Sequence, residues 1–136
     1  VLNGWTLDLA SARKLGMKPT ANASRSVSSN PSPTNWNIEL SSPEDYCDNL
    51  LSEMKNGLLV TSLIGSTINP NTGDYSRGVS GFWVEDGQIC YPVSEITVAG
   101  NLRDMLKKIV LGNDAQRHLS YVVPSILVEG MTLAGS

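Results

Sequence analysis

Gly73-Asp74-Tyr75-Ser76-Arg77-Gly78-Val79-Ser80-Gly81-Phe82-Trp83-Val84-Glu85-Asp86-Gly87 is the stretch that decides the fold. An Asp-Gly pair between two apolar runs is a strong short-range signal for a type I′ hairpin turn. Val79–Glu85 therefore pairs with Gln88–Val93 across Asp86-Gly87. The expected register sets Val84 opposite Ile89 and Phe82 opposite Tyr91 on one face, with Trp83 opposite Cys90 on the other. Both faces then carry large apolar side chains, so the hairpin is expected to be covered on both sides.

The flanking sequence extends this pattern. Leu58–Ile64 is a continuous apolar run, expected to be a strand buried on both faces, and Gly65–Thr72 a loop. Downstream, Glu95–Ala99 reads as a further strand, and Gly100-Asn101 turns the chain into a helix. Asn101 caps that helix, and Leu102, Met105, Leu106, Ile109 and Val110 form its apolar stripe up to Gly112. Upstream, Ser42 as cap, Pro43 at the first helical position and Asp45 three residues on predict another helix. It carries Tyr46, Leu50, Leu51 and Met54 at helical spacing and ends at Gly57.

Toward the N-terminus, Trp36–Leu40 alternates like a half-buried strand and Trp5–Leu9 alternates weakly. Ala10–Leu15 with Gly16 after it reads as a short helix, and residues 17–34 form a long surface loop. Tyr121–Val128 is a strand interrupted by Pro124, and Met131–Ala134 a last short one. The expected fold is α+β, with mostly antiparallel sheets, sandwich or barrel-like, and two or three short helices in one domain over 1–136.

With 136 residues and 40% hydrophobic content the chain is long enough to bury a core, and seven prolines with twelve glycines favour strands and turns. The net charge of −3 gives no footprint for direct nucleic-acid binding. Arg103, Lys107 and Lys108 read as a solvated face. Cys47, placed in a helix, and Cys90, placed in a strand, read as small buried hydrophobes in a reducing compartment. No apolar run has the length of a membrane span, and no signal-peptide pattern is present. Beginning at Val1 within an ordered-looking segment, the chain is expected to be cut from a longer polypeptide.

Chemistry-bearing constellations are sparse. Metal ligation needs several His, Cys or carboxylate donors converging, and the chain has one histidine, His118, in a polar connector, and two separated cysteines. There is no H-E-x-x-H pattern, no nucleophile elbow and no G-K-[ST] after the glycines. No catalytic and no metal residue is therefore assigned. The residues singled out are Gly73, Asp74, Tyr75, Ser76, Arg77, Gly78 and Gly81. Their glycines serve one of two ends: close backbone approach at a sheet corner, or exposure of backbone groups to an extended peptide. Asp74 and Arg77 would orient that peptide or pair with each other.

The Gly73–Gly87 segment closely resembles the glycine-rich segment in the C-terminal domain of the TldD/PmbA family, once named gyrase modulators. Leu7-Asp8 to Gly16, Asn56-Gly57-Leu58-Leu59-Val60-Thr61, Tyr91 to Leu102, Val110 to Asp114 and Val128 to Gly135 are similar in the same order. Tyr91-Pro92-Val93-Ser94-Glu95-Ile96 resembles the PmbA (TldE) branch. Ser62 departs from the acidic residue usual there.

The resemblance implies a cytoplasmic two-domain metallopeptidase in which TldD-like and PmbA-like subunits pair and cut peptides. The TldD branch supplies an H-E-x-x-x-H pair and a cysteine ligand. The region matching that cysteine reads Ser120-Tyr121-Val122-Val123-Pro124. The resemblance thus implies a non-catalytic subunit without cofactor, zinc on a TldD-like partner, and a homo- or hetero-oligomer handling a peptide substrate. The rival expectations are a regulatory module acting on DNA gyrase and, last, a hydrolase built on Ser76 or Ser80.

Overall fold

A chain with apolar residues on three long runs, joined by a short loop and a tight Asp86-Gly87 turn, is driven into one meander. In the computed structural model, which describes residues 4–42 and 46–135, that meander is made of Gly57–Ile68, Asp74–Glu85 and Gln88–Asn101. In chain order the elements are α1 (Leu9–Leu15), β1 (Ala23–Ser24), β2 (Ser32–Pro33), β3 (Ile38–Glu39), α2 (Leu50–Met54) and β4 (Gly57–Ile68). There follow β5 (Asp74–Glu85), β6 (Gln88–Asn101), α3 (Leu102–Met105), β7 (Ile109–Leu111), β8 (Tyr121–Val122), β9 (Ile126–Val128) and β10 (Thr132–Ala134). The fold is α+β and mostly antiparallel, with β3–β8 a parallel exception. The main sheet is open, in the order β10-β6-β5-β4.

The chain forms two compact units, 1–40 with 116–123, and 41–115 with 124–136. In the first, Asp8 caps α1 by accepting from the Ser11 N–H at 2.6 Å, and Gly16 at φ +64° ends it. The expected strand over Trp5–Leu9 does not form, because the cap at Asp8 starts the helix one residue later. Leu7, Asp8 and Ala12 are buried. Most of residues 17–34 is exposed, as the composition predicts, with the short β1–β2 ladder inside it. The Trp36–Leu40 strand shrinks to Ile38–Glu39 and is not half-buried: Trp36 is exposed.

The second unit holds the meander. Asp86 at φ +49° and Gly87 at φ +74° make the expected I′ turn, and Val84 meets Ile89. Beyond that pair the expected register fails. Cys90 is an extra residue on β6, so Trp83 faces Tyr91 and Phe82 faces Pro92. Side-chain alternation cannot reveal a bulge, since the extra residue shifts every later pair by one. A second irregularity, with Glu95 at φ +58°, lets β6 continue unbroken where two strands were expected.

Burial also differs from expectation. Val79 and Val84 are fully buried, each contributing about 1.5–3 kcal/mol as an upper estimate. However, Gln88–Pro92 are exposed, Cys90 included, and Cys47 is only partly covered. Neither the far hairpin nor β4 is covered on both faces: Ile89, Tyr91, Leu63 and Ile64 stand exposed.

Both predicted helices are shorter than their stripes. Asn49 caps α2, which spans only Leu50–Met54. Cys47 instead lies in a bridge to Gly112 and donates its N–H to Leu111 O at 2.9 Å. Pro43 and Asp45 fall outside the described residues. Asn101 caps α3 as expected, yet Ile109–Leu111 leaves the stripe to pair with β9. Ile and Val suit a strand as well as a helix face, and the ladder prevails.

Gly81 is where β5 is most constrained. A Cβ there would run into the Leu59 carbonyl oxygen, whereas one at Gly78 would meet Ile64 Cβ at an ordinary 3.6 Å. Gly81→Ala is expected to destabilise the protein by about 1–3 kcal/mol and Gly78→Ala to stay within about 1 kcal/mol of the parent; chemical denaturation measures both.

Candidate functional site

The singled-out residues occupy one continuous piece of β5 and the turn before it. Asn69 and Asn101 organise that turn. Asn69 Oδ1 accepts from the Asn71 N–H at 3.0 Å, and Gly73 donates its N–H to Asn69 O at 2.8 Å. Gly73, buried at φ +85°, accepts from the Leu102 N–H at 2.8 Å. Asp74 Oδ2 accepts from Thr72 Oγ1 at 2.6 Å and its Oδ1 from Asn101 Nδ2 at 3.3 Å. Asn101 also donates to Thr72 O and accepts from the Arg103 N–H at 3.1 Å as the α3 cap. The turn, the start of β5 and the start of α3 are thus held by one amide.

Asp74 and Arg77 are not partnered with each other. Arg77 Nε donates to Gly65 O at 2.7 Å, across a break in the β4–β5 register. From Tyr75 to Gly81 the strand runs between β4 on one side and β6 on the other, and Asp74 pairs with Asn101 of β6 alone. Its backbone is engaged within the sheet, so what this segment offers to another molecule is its side chains. Tyr75 is the residue that reaches a cavity.

That cavity, about 640 Å³, lies in the second unit on the face of the sheet that bears Leu58, Val60, Leu63, Tyr75, Val98 and Leu133. Met54 of α2, Met105 of α3, Met131 and β9 complete it. Its size is that of ligand pockets, roughly 300–1,000 Å³. The polar groups at its wall are few, among them Asn56, Tyr75 and Glu129. Flexible methionine side chains beside branched aliphatics suit varied apolar side chains. Sequence reasoning placed Leu50, Leu51 and Met54 on an apolar helix face but did not connect them with Tyr75. The signal was present as apolar stripes, whereas their convergence depends on the meander.

A second, smaller cavity, about 240 Å³, lies beside Cys47, Asp48, Asn113, Asp114 and Ser125. Asp114 accepts from the Ser125 N–H at 2.7 Å and from Ser125 Oγ at 2.6 Å. The Ser125 hydroxyl, then its N–H, hold the Asp114 carboxyl below the ordinary carboxylate value of 3.8. Asn113 Nδ2 donates to the neighbouring Asp48 Oδ1. The Cys47–Gly112 bridge positions all four residues.

The second unit is thus an open antiparallel meander with short helices around an apolar cavity, an α+β architecture. Comparison with known proteins gives the family. The chain matches the PmbA/TldA metallopeptidase C-terminal domain over residues 1–135, and it belongs to that family. It is 45% identical over 136 residues to the metalloprotease PmbA of Escherichia coli O157:H7, covering 99% of this chain and 28% of that protein. To the metalloprotease TldD homolog of Haemophilus influenzae it is 26% identical over 116 residues, covering 84% of this chain and 24% of that one. A crystal structure from Thermotoga maritima, described as a modulator of DNA gyrase, superposes with TM-score 0.78 at 35% identity. It covers 98% of this chain and 31% of that one. The chain spans less than a third of the length of these relatives.

A metallopeptidase family implies a metal, and the donors here do not fit one. Among the described residues no group of three or more His, Cys, Asp or Glu side chains could hold an ion. Asp114 is committed to Ser125 and Asp74 to Thr72 and Asn101. No step is derived through a metal held by this chain. No described helix is long and apolar enough to cross a membrane.

Because Asp114 is held low in the folded state, the stability it contributes is complete above the unfolded value and is lost as pH falls through the folded one. Ser125→Ala is expected to move the Asp114 titration upward and to bring the acid-side loss of stability to higher pH. Side-chain carboxyl NMR, with thermal melts between pH 2 and 5, measures both effects.

Proposed function

We propose that this chain is part of a PmbA-type, non-catalytic subunit of a TldD/PmbA metallopeptidase complex in the cytoplasm. It lends an apolar wall to the chamber in which a TldD-like, zinc-bearing partner cuts peptides or unfolded proteins. The observation that carries this reading is the graded likeness: 45% identity to a PmbA metalloprotease against 26% to a TldD homolog, each across most of the chain. The donor set agrees with it, since the two carboxylates at the smaller cavity, Asp48 and Asp114, are spent on an amide and a hydroxyl and Glu129 stands alone among carboxylates at the larger one. The 640 Å³ apolar cavity offers a place for peptide side chains without selecting one sequence.

In this role Tyr75 supplies a hydroxyl at the cavity wall and the methionines adapt to what enters. Arg77, tethered by one bond to Gly65 O, keeps further guanidinium donors for a peptide carbonyl or carboxylate. A second reading, a regulatory module contacting DNA gyrase, draws on the description given to the Thermotoga maritima structure. A hydrolase built on Ser76 or Ser80 has no support in the geometry: among the described residues neither hydroxyl hydrogen-bonds an imidazole or a carboxylate.

The intact subunit, purified alone, is expected to cleave no peptide, and zinc-dependent cleavage is expected once a TldD-like chain is added. Cleavage by the intact subunit alone, with one zinc per chain, overturns the proposal. Recovery of gyrase and no TldD-like chain in a pull-down favours the second reading. In the assembled complex, Arg77→Ala with Tyr75→Ala is expected to slow peptide turnover roughly tenfold, the loss of one or two charge-assisted or packing contacts. Unchanged turnover removes these two residues from the peptide path.

A further inference from the structure

α2 borders empty space on two sides. Leu50 and Leu51 line both the 640 Å³ cavity and the 240 Å³ one, and Met54 lines the larger. Ser52 and Glu53, on the outer side, are exposed, and no side chain of the helix is buried. Close-packed interiors hold an element in one place, whereas α2 has room to move without unpacking the sheet. A helix of five residues is not stable by itself in water, so its position depends on its two ends.

The first end is ordinary: Asn49 Oδ1 accepts from the Ser52 N–H at 3.1 Å. The second end is strained. Lys55 has φ +59° and ψ −72°, and Asn56 donates its N–H to Met54 O at 2.7 Å. This is the γ-turn with positive φ, which is rare and strained for a residue with a side chain. The tip of the β5–β6 hairpin keeps it in place. Gly87 donates its N–H to Lys55 O at 2.8 Å, and Asp86 its N–H to Asn56 Oδ1 at 3.0 Å. The tip also sits tightly on the helix: a Cβ at Gly87 would come within 3.1 Å of Ser52 Cα. Two hydrogen bonds thus stand against one strained residue.

We propose that α2 is a lid on the larger cavity, hinged at Lys55 and latched by Asp86-Gly87, which opens to admit an apolar peptide segment. The inference rests on that cavity taking peptide side chains, as in the proposed function, and adds how entry is controlled. Hinges absorb their change of φ and ψ at a few residues, and strained residues persist at ligand clamps where the surroundings hold them. In the closed form Leu50, Leu51 and Met54 cover the cavity wall. In the open form Lys55 returns to an ordinary conformation, its carbonyl leaves Gly87, and the three apolar side chains are free to meet the peptide. A peptide that fits only the open form shifts the population toward it.

Hydrogen exchange of the intact subunit, resolved by mass spectrometry over residues 49–56 and over β5, tests the lid. Residues 49–56 are expected to exchange well ahead of β5, because the lid opens while the sheet stays folded. Lys55→Gly removes strain that exceeds the freedom a glycine adds to the open form, and is expected to slow exchange over 49–56 roughly fivefold. Asn56→Ala removes one latch bond and is expected to quicken it roughly fivefold. Neither variant is expected to change β5. Excess N-acetyl-dileucine amide is expected to quicken exchange over 49–56 in the parent, and to bind the Lys55→Gly variant roughly fivefold more weakly. Faster exchange in Lys55→Gly, exchange over 49–56 no faster than in β5, or no response to the dileucine overturns the lid. Equal shifts in 49–56 and β5 overturn it as well, since they mark global unfolding. A subunit with the lid that supports no cleavage beside a TldD-like chain sinks the peptidase reading alone, and cleavage with a fixed α2 sinks the lid alone.

Discussion

The second unit depends on how closely β4 and β5 approach at Gly81. The Leu59 carbonyl occupies the place a side chain would need, so the two backbones draw together there as no other residue would permit. The approach coincides with the slip at Thr61 on β4 and, across β5 from it, with the extra residue of β6 at Ser94-Glu95. Bulges raise local twist and bend the strand that carries them. Here they turn Leu58, Val60 and Leu63 to one face and Leu59 and Ile64 to the other. The wall of the large cavity and the character of the open edge both follow from that sorting.

A second constraint lies at the opposite end of β5. Three jobs fall on Asn101: it donates to the Thr72 carbonyl and to Asp74, and it caps α3. A single side chain therefore couples the entry of β5 to the end of β6. The glycine-rich segment acts as the central strand of the meander, with its backbone spoken for on both sides. A binding role for it has to rest on Tyr75 and Arg77, whose side chains leave the plane of the sheet. Such a segment can be structural at its glycines and available at its long side chains: Gly81 shares the face of Tyr75 and Arg77 but is pressed against the Leu59 carbonyl, and Gly78 lies on the other face.

The resemblance to TldD/PmbA proteins was legible in ordered motifs from Leu7 to Gly135, and the family match over residues 1–135 bears it out. So were the I′ turn, the Asn101 cap, α1 with its terminal Gly16, the break of the late strand near Pro124 and the α+β, mostly antiparallel class. Less legible were lengths and registers. Ile109 and Val110 continue a helical stripe on paper yet pair with β9, and Cys47 sits in a bridge where a helix was expected. Each of these residues has two local options of similar energy, and a distant partner selects between them. Of the candidate site, the sequence pointed to the segment but not to the cavity, whose walls come from seven elements spread from α2 to β10.

What the sequence determined by itself was local: where glycine or asparagine must stand so that the backbone can turn, cap or take positive φ. Those preferences are written within a few residues and need no partner. The tertiary structure alone decided which faces were buried and which edge remained open. One extra residue at Cys90 and one at Thr61 change the face of every side chain beyond them, and a residue is extra only in relation to the strand beside it.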